Sequence, residues 1–222
     1  MSEKTDTIPA GSVRIADEDY LLDENGFLKQ VDPKPFDYSL DYKAHQSTNT
    51  AMTWLRLGWL SSHLSYGRLR HMTAVDIGAG NGSFVREAAS VFERIVPYDL
   101  AGESIDDVEL YETKWDMIVM SDVLEHYDDI DKLWGLNFKY GMISFPETPN
   151  PEEHDLSRWR HLKPNEHIYL MTRVKVEAWV KKHGYEVVGC GCPEDMIRTR
   201  WQADKVNIST ILIKRNPKCQ SM

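Results

Sequence analysis

The sequence of 222 residues predicts an α/β fold in which one mostly parallel sheet carries helices on both faces. Three observations support this prediction. Short apolar strands alternate with helical segments from residue 73 onward. A glycine-rich turn, residues 78–82, lies between a predicted strand and a predicted helix. An acidic residue, Asp99, ends the next predicted strand, at the edge where such sheets bind ligands.

The spacing of apolar residues assigns the elements in chain order. Residues 49–64 form the first predicted helix, because their apolar side chains recur near one face. The later helices follow from the same helical period of about 3.6 residues, and the strands follow from the two-residue period of an extended chain. The predicted helices are 83–92, 129–136 and 172–183, and the predicted strands are 73–77, 94–98, 115–120, 140–145, 185–189 and 206–214.

The length is sufficient for one domain with a substantial core. Residues 1–45 are rich in Asp, Glu, Pro and Tyr, and we expect a tail and an irregular lead-in there. Residues 46–216 are expected to form the domain, and residues 217–222 a short tail. No apolar run is long enough to span a membrane, and residues 1–10 lack the basic and apolar parts of a signal peptide. We therefore expect a cytoplasmic protein.

The glycine turn and its surroundings favour binding of an adenosine-containing ligand. Glycines let the backbone approach a ligand closely, and the helix that follows presents N–H groups at its positive end. A dinucleotide-binding motif would place its third glycine at position 83, which is Ser83 here, so a nicotinamide cofactor is disfavoured. Asp99 can accept both ribose hydroxyls, and Asp76 would favour a cationic amino group.

These segments carry a family resemblance. Residues 75–82 resemble motif I of the class I S-adenosylmethionine (SAM)-dependent methyltransferases, and residues 115–126 are similar to the fourth-strand segment of that family. Residues 165–172 resemble a segment of the ubiquinone-methyltransferase-like subgroup and of related phage and bacterial proteins. The resemblance covers residues 73–214. It implies a Rossmann-like, seven-stranded, mostly parallel sheet with an abbreviated region between the second and fourth strands, and SAM as the cofactor.

The resemblance also implies which residues contact SAM. Asp99 would bind the ribose, Leu100 would lie beside the adenine, and residues 121–123 would form the far wall of the pocket. The acid that binds the adenine amino group is left open among Asp106, Asp107 and Glu109. The full implied set is Asp76, Gly78, Gly80, Asn81, Gly82, Asp99, Leu100, Ser121, Asp122 and Val123.

The acceptor side is expected in the long, proline-rich loop of residues 146–167, which leaves the carboxyl end of a predicted central strand. A neutral histidine there can take a proton from a hydroxyl or amine acceptor. His167 and His161 are the best candidates, and His126 is the third. Glu166 is expected to orient one of these histidines. The loop holds ligand-type residues, but their spacing matches no known motif, so no metal site is predicted.

We therefore predict methyl transfer to an oxygen or nitrogen atom of a small or medium-sized acceptor. Basic residues near the predicted mouth are compatible with an anionic acceptor such as a nucleotide, sugar nucleotide or glycan, or with a solvated surface. They are Arg158, Arg160, Lys163, Arg198 and Arg200. A nucleic-acid substrate is disfavoured by the net charge of −9. A non-catalytic SAM- or nucleotide-binding module is the alternative, and a homodimer is left open.

Overall fold

The computed structural model describes residues 11–36, 46–100, 104–150, 155–197 and 208–217. Its helices are α1 Gln46–Leu64, α2 Tyr66–Leu69, α3 Ser83–Ala88, α4 Asp107–Glu112 and α5 Arg173–Lys182. Its first five strands are β1 Val13–Ile15, β2 Glu18–Leu22, β3 Leu28–Gln30, β4 Thr73–Ile77 and β5 Arg94–Tyr98. The others are β6 Lys114–Ser121, β7 Asn137–Pro146, β8 Tyr169–Leu170, β9 Tyr185–Gly191 and β10 Ile208–Arg215.

The central sheet has six strands in the order β5-β4-β6-β7-β10-β9. Neighbours from β5 to β7 pair in parallel, and β10 is antiparallel to both β7 and β9. The predicted mostly parallel α/β sheet is therefore confirmed. The resemblance implied seven strands, whereas the described residues give six. Between β5 and β6 these residues contain α4 and no strand, so the abbreviated region is found where it was expected.

Helices cover both faces of this sheet, as predicted. Leu57 and Leu60 of α1 and Phe84 of α3 are buried in one core cluster together with Met117 and Val119 of β6. On the other face, Val176, Trp179 and Val180 of α5 are buried with Ile118 and Met120 of β6. Alternate residues of β6 thus enter opposite cores, because successive side chains of a strand point to opposite faces.

The expectation of an irregular lead-in is wrong for residues 13–30. These residues form β1, β2 and β3, which join β8 in an antiparallel sheet of the order β1-β2-β3-β8. The pairing of β3 with β8 connects them to the segment before α5. The turn between β2 and β3 is held by the Asp23 carboxylate, which accepts the N–H groups of Asn25 and Phe27. Phe27 is fully buried in the core beside α5. The proposed domain limits at residues 45 and 216 stay a prediction.

Several predicted boundaries differ from the structure by a few residues. Helix α3 ends at Ala88 rather than near residue 92, and the predicted helix 129–136 is the 3₁₀ helix Ile130–Gly135. Helices α2 and α4 were not predicted, because four and six residues are too short for a clear helical period. Within the ranges described above, no helix combines the length and apolar character that crossing a membrane requires.

The parallel strands place four chain segments at one edge of the central sheet. Strands β4, β5, β6 and β7 run in the same direction, so their carboxyl ends at Ile77, Tyr98, Ser121 and Pro146 lie along a common edge. Ligands of open α/β sheets bind beyond this edge. The glycine turn, Asp99 and residues 121–126 all follow these strand ends.

Candidate functional site at the carboxyl edge of the sheet

The glycine turn after β4 has a backbone conformation that strongly favours glycine. Gly78, Gly80 and Gly82 have φ angles of 72°, 55° and 69°, in the left-handed region that disfavours residues with a Cβ. A Cβ at Gly78 would also overlap the side chain of Val123, which follows β6. The loop therefore packs directly against the segment predicted to form the far wall of the SAM pocket.

Asn81 shapes the end of this loop. Its side-chain oxygen accepts a hydrogen bond of 3.0 Å from the Ser83 backbone N–H and one of 2.6 Å from the Ser83 hydroxyl. These bonds satisfy a donor in the first turn of α3, as capping residues do. The structure thus gives Asn81 a clear role in loop conformation.

Asp99 is joined to the glycine loop directly. Its Oδ2 atom accepts the Gly80 N–H at 2.7 Å, and the Tyr98 carbonyl accepts the N–H groups of Gly78 and Ala79. The end of β5 therefore fixes both the loop and the carboxylate that the sequence predicts to bind ribose. The next residue, Leu100, is 96% exposed, so its side chain is accessible to a ligand at this edge.

Asp76 lies at the base of the loop and is buried. Its pKa is raised to about 7: burial is the main cause, the Arg56 guanidinium opposes it, and the nearby Asp99 carboxylate adds to it. The Asp76 carboxyl is therefore about half ionised at neutral pH. A ligand cation placed beside it would favour the ionised form.

The segment after β6 continues the site. Asp122 has a φ of 54°, its backbone N–H donates to the Ser144 carbonyl, and its Oδ2 atom accepts a hydrogen bond of 3.0 Å from Arg56. Ser121 and Val123 flank it, and Val123 contacts Gly78 as described above. The predicted wall residues are thus brought to the glycine loop.

Arg56 of α1 was not predicted as a site residue. Its side chain is 8% exposed and also forms a 2.7 Å ion pair with Glu194, whose side chain is fully buried. Arg56 lies four residues from both Met52 and Leu60, on the predicted apolar face of the helix. A charged residue on a buried helix face is the signal that could have found it, whereas no sequence pattern marks Glu194.

Beyond Val123, the 3₁₀ helix Leu124–His126 brings Glu125 and His126 to His167. The His126 and His167 rings meet edge to face with centroids 4.8 Å apart. Glu125 is 2% exposed, and burial raises the pKa of its carboxyl well above the usual value, with a further contribution from Asp122. Burial also lowers the pKa of His126, and it lowers that of His167 to about 3. We refer to Glu125, His126 and His167 as the histidine–carboxylate cluster.

Two other predicted catalytic residues support this cluster. The His161 backbone carbonyl accepts a 2.8 Å hydrogen bond from Nδ1 of His167, and His161 is itself buried. Glu166 places Oε1 3.6 Å from Nε2 of His167 and 2.8 Å from the Lys163 ammonium. The structure therefore brings all four predicted catalytic residues into one region.

The three acids left open for adenine binding have other partners. The Asp106 carboxylate caps α4 by accepting the Glu109 N–H at 2.8 Å. Asp107 accepts a 2.7 Å hydrogen bond from the Tyr98 hydroxyl, and Glu109 pairs with Arg94. These contacts do not select one acid for the adenine.

The basic residues of the acceptor loop lie at the surface. Arg158 has an 88% exposed side chain 3.5 Å from Asp155, and Arg160 and Lys163 are exposed as well. The predicted neighbours Arg198 and Arg200 lie outside the described residues. In the described part of the loop, the arginines therefore belong to a solvated surface, which is one of the two alternatives that the sequence left open.

Comparisons with known proteins agree with this geometry. Residues 58–189, more than half of the chain, match a family model described as a methyltransferase domain. A comparison with curated proteins gives no match. The structure is similar to magnesium protoporphyrin IX methyltransferase of Synechocystis PCC 6803, solved with bound S-adenosylhomocysteine (SAH). The TM-score is 0.55 at 16% identity, covering 82% of this chain and 90% of that one.

A SAM-dependent methyltransferase from Archaeoglobus fulgidus is also similar, with a TM-score of 0.54 and 14% identity over 81% of this chain and 100% of that one. At these identities the likeness to solved structures shows the fold. The match to the family model spans residues from α1 to β9 and includes the glycine loop. The chain therefore belongs to the methyltransferase-domain family and has the fold of the class I SAM-dependent methyltransferases.

Proposed function

We propose that the protein transfers the methyl group of SAM to an oxygen or nitrogen atom of a small or medium-sized acceptor. One observation carries this proposal: the left-handed glycine loop and the histidine–carboxylate cluster lie at the same edge of the sheet. Val123 joins them, because it packs on Gly78 and directly precedes the turn that carries Glu125 and His126. Donor and acceptor bound to these two parts would be adjacent, as an in-line displacement requires.

On the cofactor side, SAM would lie along the glycine loop with its ribose at Asp99. The Asp99 carboxylate is held by the Gly80 N–H, so it is already oriented before a ligand arrives. The cationic amino group of SAM would lie towards Asp76, where it would stabilise the ionised carboxylate. Leu100 would pack beside the adenine. Loop glycines serve this arrangement because no Cβ separates the backbone from the ligand.

On the acceptor side, we assign binding and orientation to His126 and His167. Because its pKa is about 3, the His167 imidazole stays neutral at neutral pH and is a poor proton acceptor there. This low basicity weakens the case for His167 as the general base that its position in the sequence suggested. The carbonyl of His161 and the carboxylate of Glu166 would act as positioning groups, since both lie against His167.

A matched pair of substitutions tests the cofactor site. Asp99→Asn should weaken SAH binding by about one to two decades, because hydrogen bonds to a charged group contribute about 1.5–3 kcal/mol. Asp116→Asn is the control, since Asp116 is also an aspartate that accepts a backbone N–H, from Thr73 at 3.1 Å, but at the opposite end of β6. Isothermal titration calorimetry with SAH measures both. Equal affinities for the two variants would remove Asp99 from the site.

A second experiment tests the acceptor class. The protein is incubated with methyl-labelled SAM and a cell extract separated into a small-molecule fraction, a protein fraction and a nucleic-acid fraction. We expect label in the small-molecule fraction. Label found only in nucleic acid or protein would contradict the small-acceptor proposal while leaving the cofactor assignment intact.

A further inference from the structure

Glu125 is a buried carboxylate whose position the methyl-transfer proposal does not explain. Its side chain is 2% exposed, and neither of its oxygens accepts a hydrogen bond from another residue in the part of the chain that the structure describes. An ionised carboxylate that is removed from water without a partner is strongly disfavoured, and buried charges are ordinarily paired or bound to a metal ion. Ionised or protonated, the Glu125 carboxyl lacks a partner for its oxygens, and a bound cation would supply one.

The neighbouring cations are engaged by other carboxylates. Lys163 pairs with Glu166 at 2.8 Å. Arg56 pairs with Asp122 at 3.0 Å and with Glu194 at 2.7 Å. The surroundings of Glu125 thus include further acidic groups, so an added cation would be favoured electrostatically as well as by Glu125 itself.

The two histidines of the cluster are oriented in the way that metal-binding histidines usually are. Nδ1 of His126 lies 2.7 Å from the Glu166 carbonyl, and Nδ1 of His167 lies 2.8 Å from the His161 carbonyl. A carbonyl oxygen can only accept, so each Nδ1 carries a proton, and a neutral ring with this proton has its lone pair on Nε2. A backbone carbonyl that holds the second ring nitrogen is a recurrent feature of histidine ligands.

The three side chains also converge. Each offers one ligand atom, and these atoms all lie within 4.8 Å of one another. Nε2 of His126 lies 3.8 Å from Oε1 of Glu125. Ligand atoms that share one ion at about 2.1 Å are separated by up to about 4 Å. Side-chain shifts of under about 1 Å would therefore bring all three to bonding distance.

We propose that Glu125, His126 and His167 form a binding site for a divalent transition-metal ion. Two imidazoles with one carboxylate suit Zn²⁺ or Mn²⁺ better than Ca²⁺, which prefers oxygen ligands throughout. Three protein ligands leave coordination positions for water or for an acceptor oxygen, as in catalytic rather than structural sites. The sequence predicted no metal site, because its ligands are brought together by folding rather than by a spaced motif.

Calorimetric titration of the metal-free protein with ZnCl₂, MnCl₂ and CaCl₂ tests this site. We expect one Zn²⁺ per chain, weaker binding of Mn²⁺ and no binding of Ca²⁺. Glu125→Gln and His167→Gln should each lower the association constant for Zn²⁺ by at least about tenfold. His183→Gln is the matched control, because His183 also lies beside a carboxylate, with Nε2 3.4 Å from Asp131, but outside the cluster. It should bind Zn²⁺ as the unmodified protein does.

Absence of stoichiometric Zn²⁺ and Mn²⁺ binding would overturn the proposal, as would equal binding by the unmodified protein and the Glu125→Gln variant. If a variant fails to fold, electron spin-echo spectroscopy of Mn²⁺ on the unmodified protein decides instead. Coupling to two imidazole nitrogens supports the site, and its absence overturns it. The site does not depend on the proposed function: Asp99→Asn should lose SAH affinity and keep metal binding, so the two proposals fail separately.

Discussion

The glycine loop and the histidine–carboxylate cluster lie at the same edge of the sheet but arise from the sequence in different ways. The loop is local: residues 76–82 form it, and its hydrogen-bond partners Tyr98 and Asp99 lie together at the end of the next strand. The cluster joins Glu125 and His126 to His167, 41 positions later than His126, through contacts made only in the folded chain. A site formed by neighbouring residues can therefore be identified from a single sequence. A buried cluster of polar residues that are distant in the sequence can be identified only from the tertiary structure.

Arg56 links the two regions, and its removal should have the largest effect. Arg56→Met leaves the carboxylates of Asp122 and Glu194 without their buried partner. Breaking a buried ion pair in this way costs about 3–5 kcal/mol, which chemical denaturation measures as a lower free energy of unfolding. Adding Glu194→Gln should restore part of that loss. An Arg56→Met protein as stable as the original would contradict this assignment.

Gly78→Ala tests how tightly the loop packs on the wall of the cluster. The new Cβ would overlap Val123, and the φ of 72° disfavours any residue other than glycine. We expect a loss of about 2–4 kcal/mol in unfolding free energy and a matching loss of SAH affinity. Gly82→Ala is the control: its φ is 69°, but the nearest atom to its Cβ is the flexible end of Arg86 at 3.6 Å. It should cost only about 1 kcal/mol.

Adding Val123→Ala to the Gly78→Ala variant should recover part of the lost stability, because it removes the methyl groups closest to the new Cβ. If Gly78→Ala and Gly82→Ala are equally destabilising, the close contact between Gly78 and Val123 does not contribute to the unfolding free energy.

The contrast between these regions also explains how much the sequence could predict. The six strands of the central sheet and the helices α1, α3 and α5 follow from apolar periodicity, and the glycine loop follows from its motif. The N-terminal sheet was missed because β1 and β3 have three residues each, too few for a period. Arg56 and Glu194 were missed because 138 positions separate the partners of their ion pair.

Residues of this N-terminal sheet hold the segment that carries His167. The Gln30 side chain is buried and exchanges two hydrogen bonds with Asn165, of 3.1 and 2.7 Å, while its backbone N–H donates to the Ile168 carbonyl. Gln30→Met should lower the unfolding free energy by about 1–3 kcal/mol, because it removes the acceptor of the Asn165 N–H and one donor to the Asn165 side chain. If the lead-in positions the cluster, this variant should also weaken Zn²⁺ binding.

Lys29→Met is the appropriate comparison for Gln30→Met. Lys29 is the neighbouring residue in β3, and its ammonium instead reaches the exposed Asp128 carbonyl. It should leave Zn²⁺ binding unchanged. If Gln30→Met binds Zn²⁺ as tightly as Lys29→Met and the unmodified protein do, residues 28–30 contribute only to stability.

The smallest predicted effect is a pH dependence of cofactor binding through Asp76. Its pKa is about 7 in the unliganded protein, because burial outweighs the nearby Arg56. The cationic amino group of SAH favours the ionised carboxylate, which is lost as pH falls below 7. SAH affinity should therefore decrease about tenfold from pH 8 to pH 6, and Asp76→Asn should remove this dependence. Calorimetry across that range measures it, and an identical slope in both proteins would exclude Asp76 as the titrating group.

A crystal structure with SAH bound would test directly whether the cofactor binds at the carboxyl edge of the sheet. We expect the ribose hydroxyls at Asp99 and the sulfur at the carboxyl edge, between the glycine loop and residues 121–126. The opposite edge of the same sheet has a surface cleft lined in part by Lys114 and Asn137, where β6 and β7 begin. SAH bound in that cleft, with the glycine loop empty, would contradict the assignment of the cofactor site to the carboxyl edge.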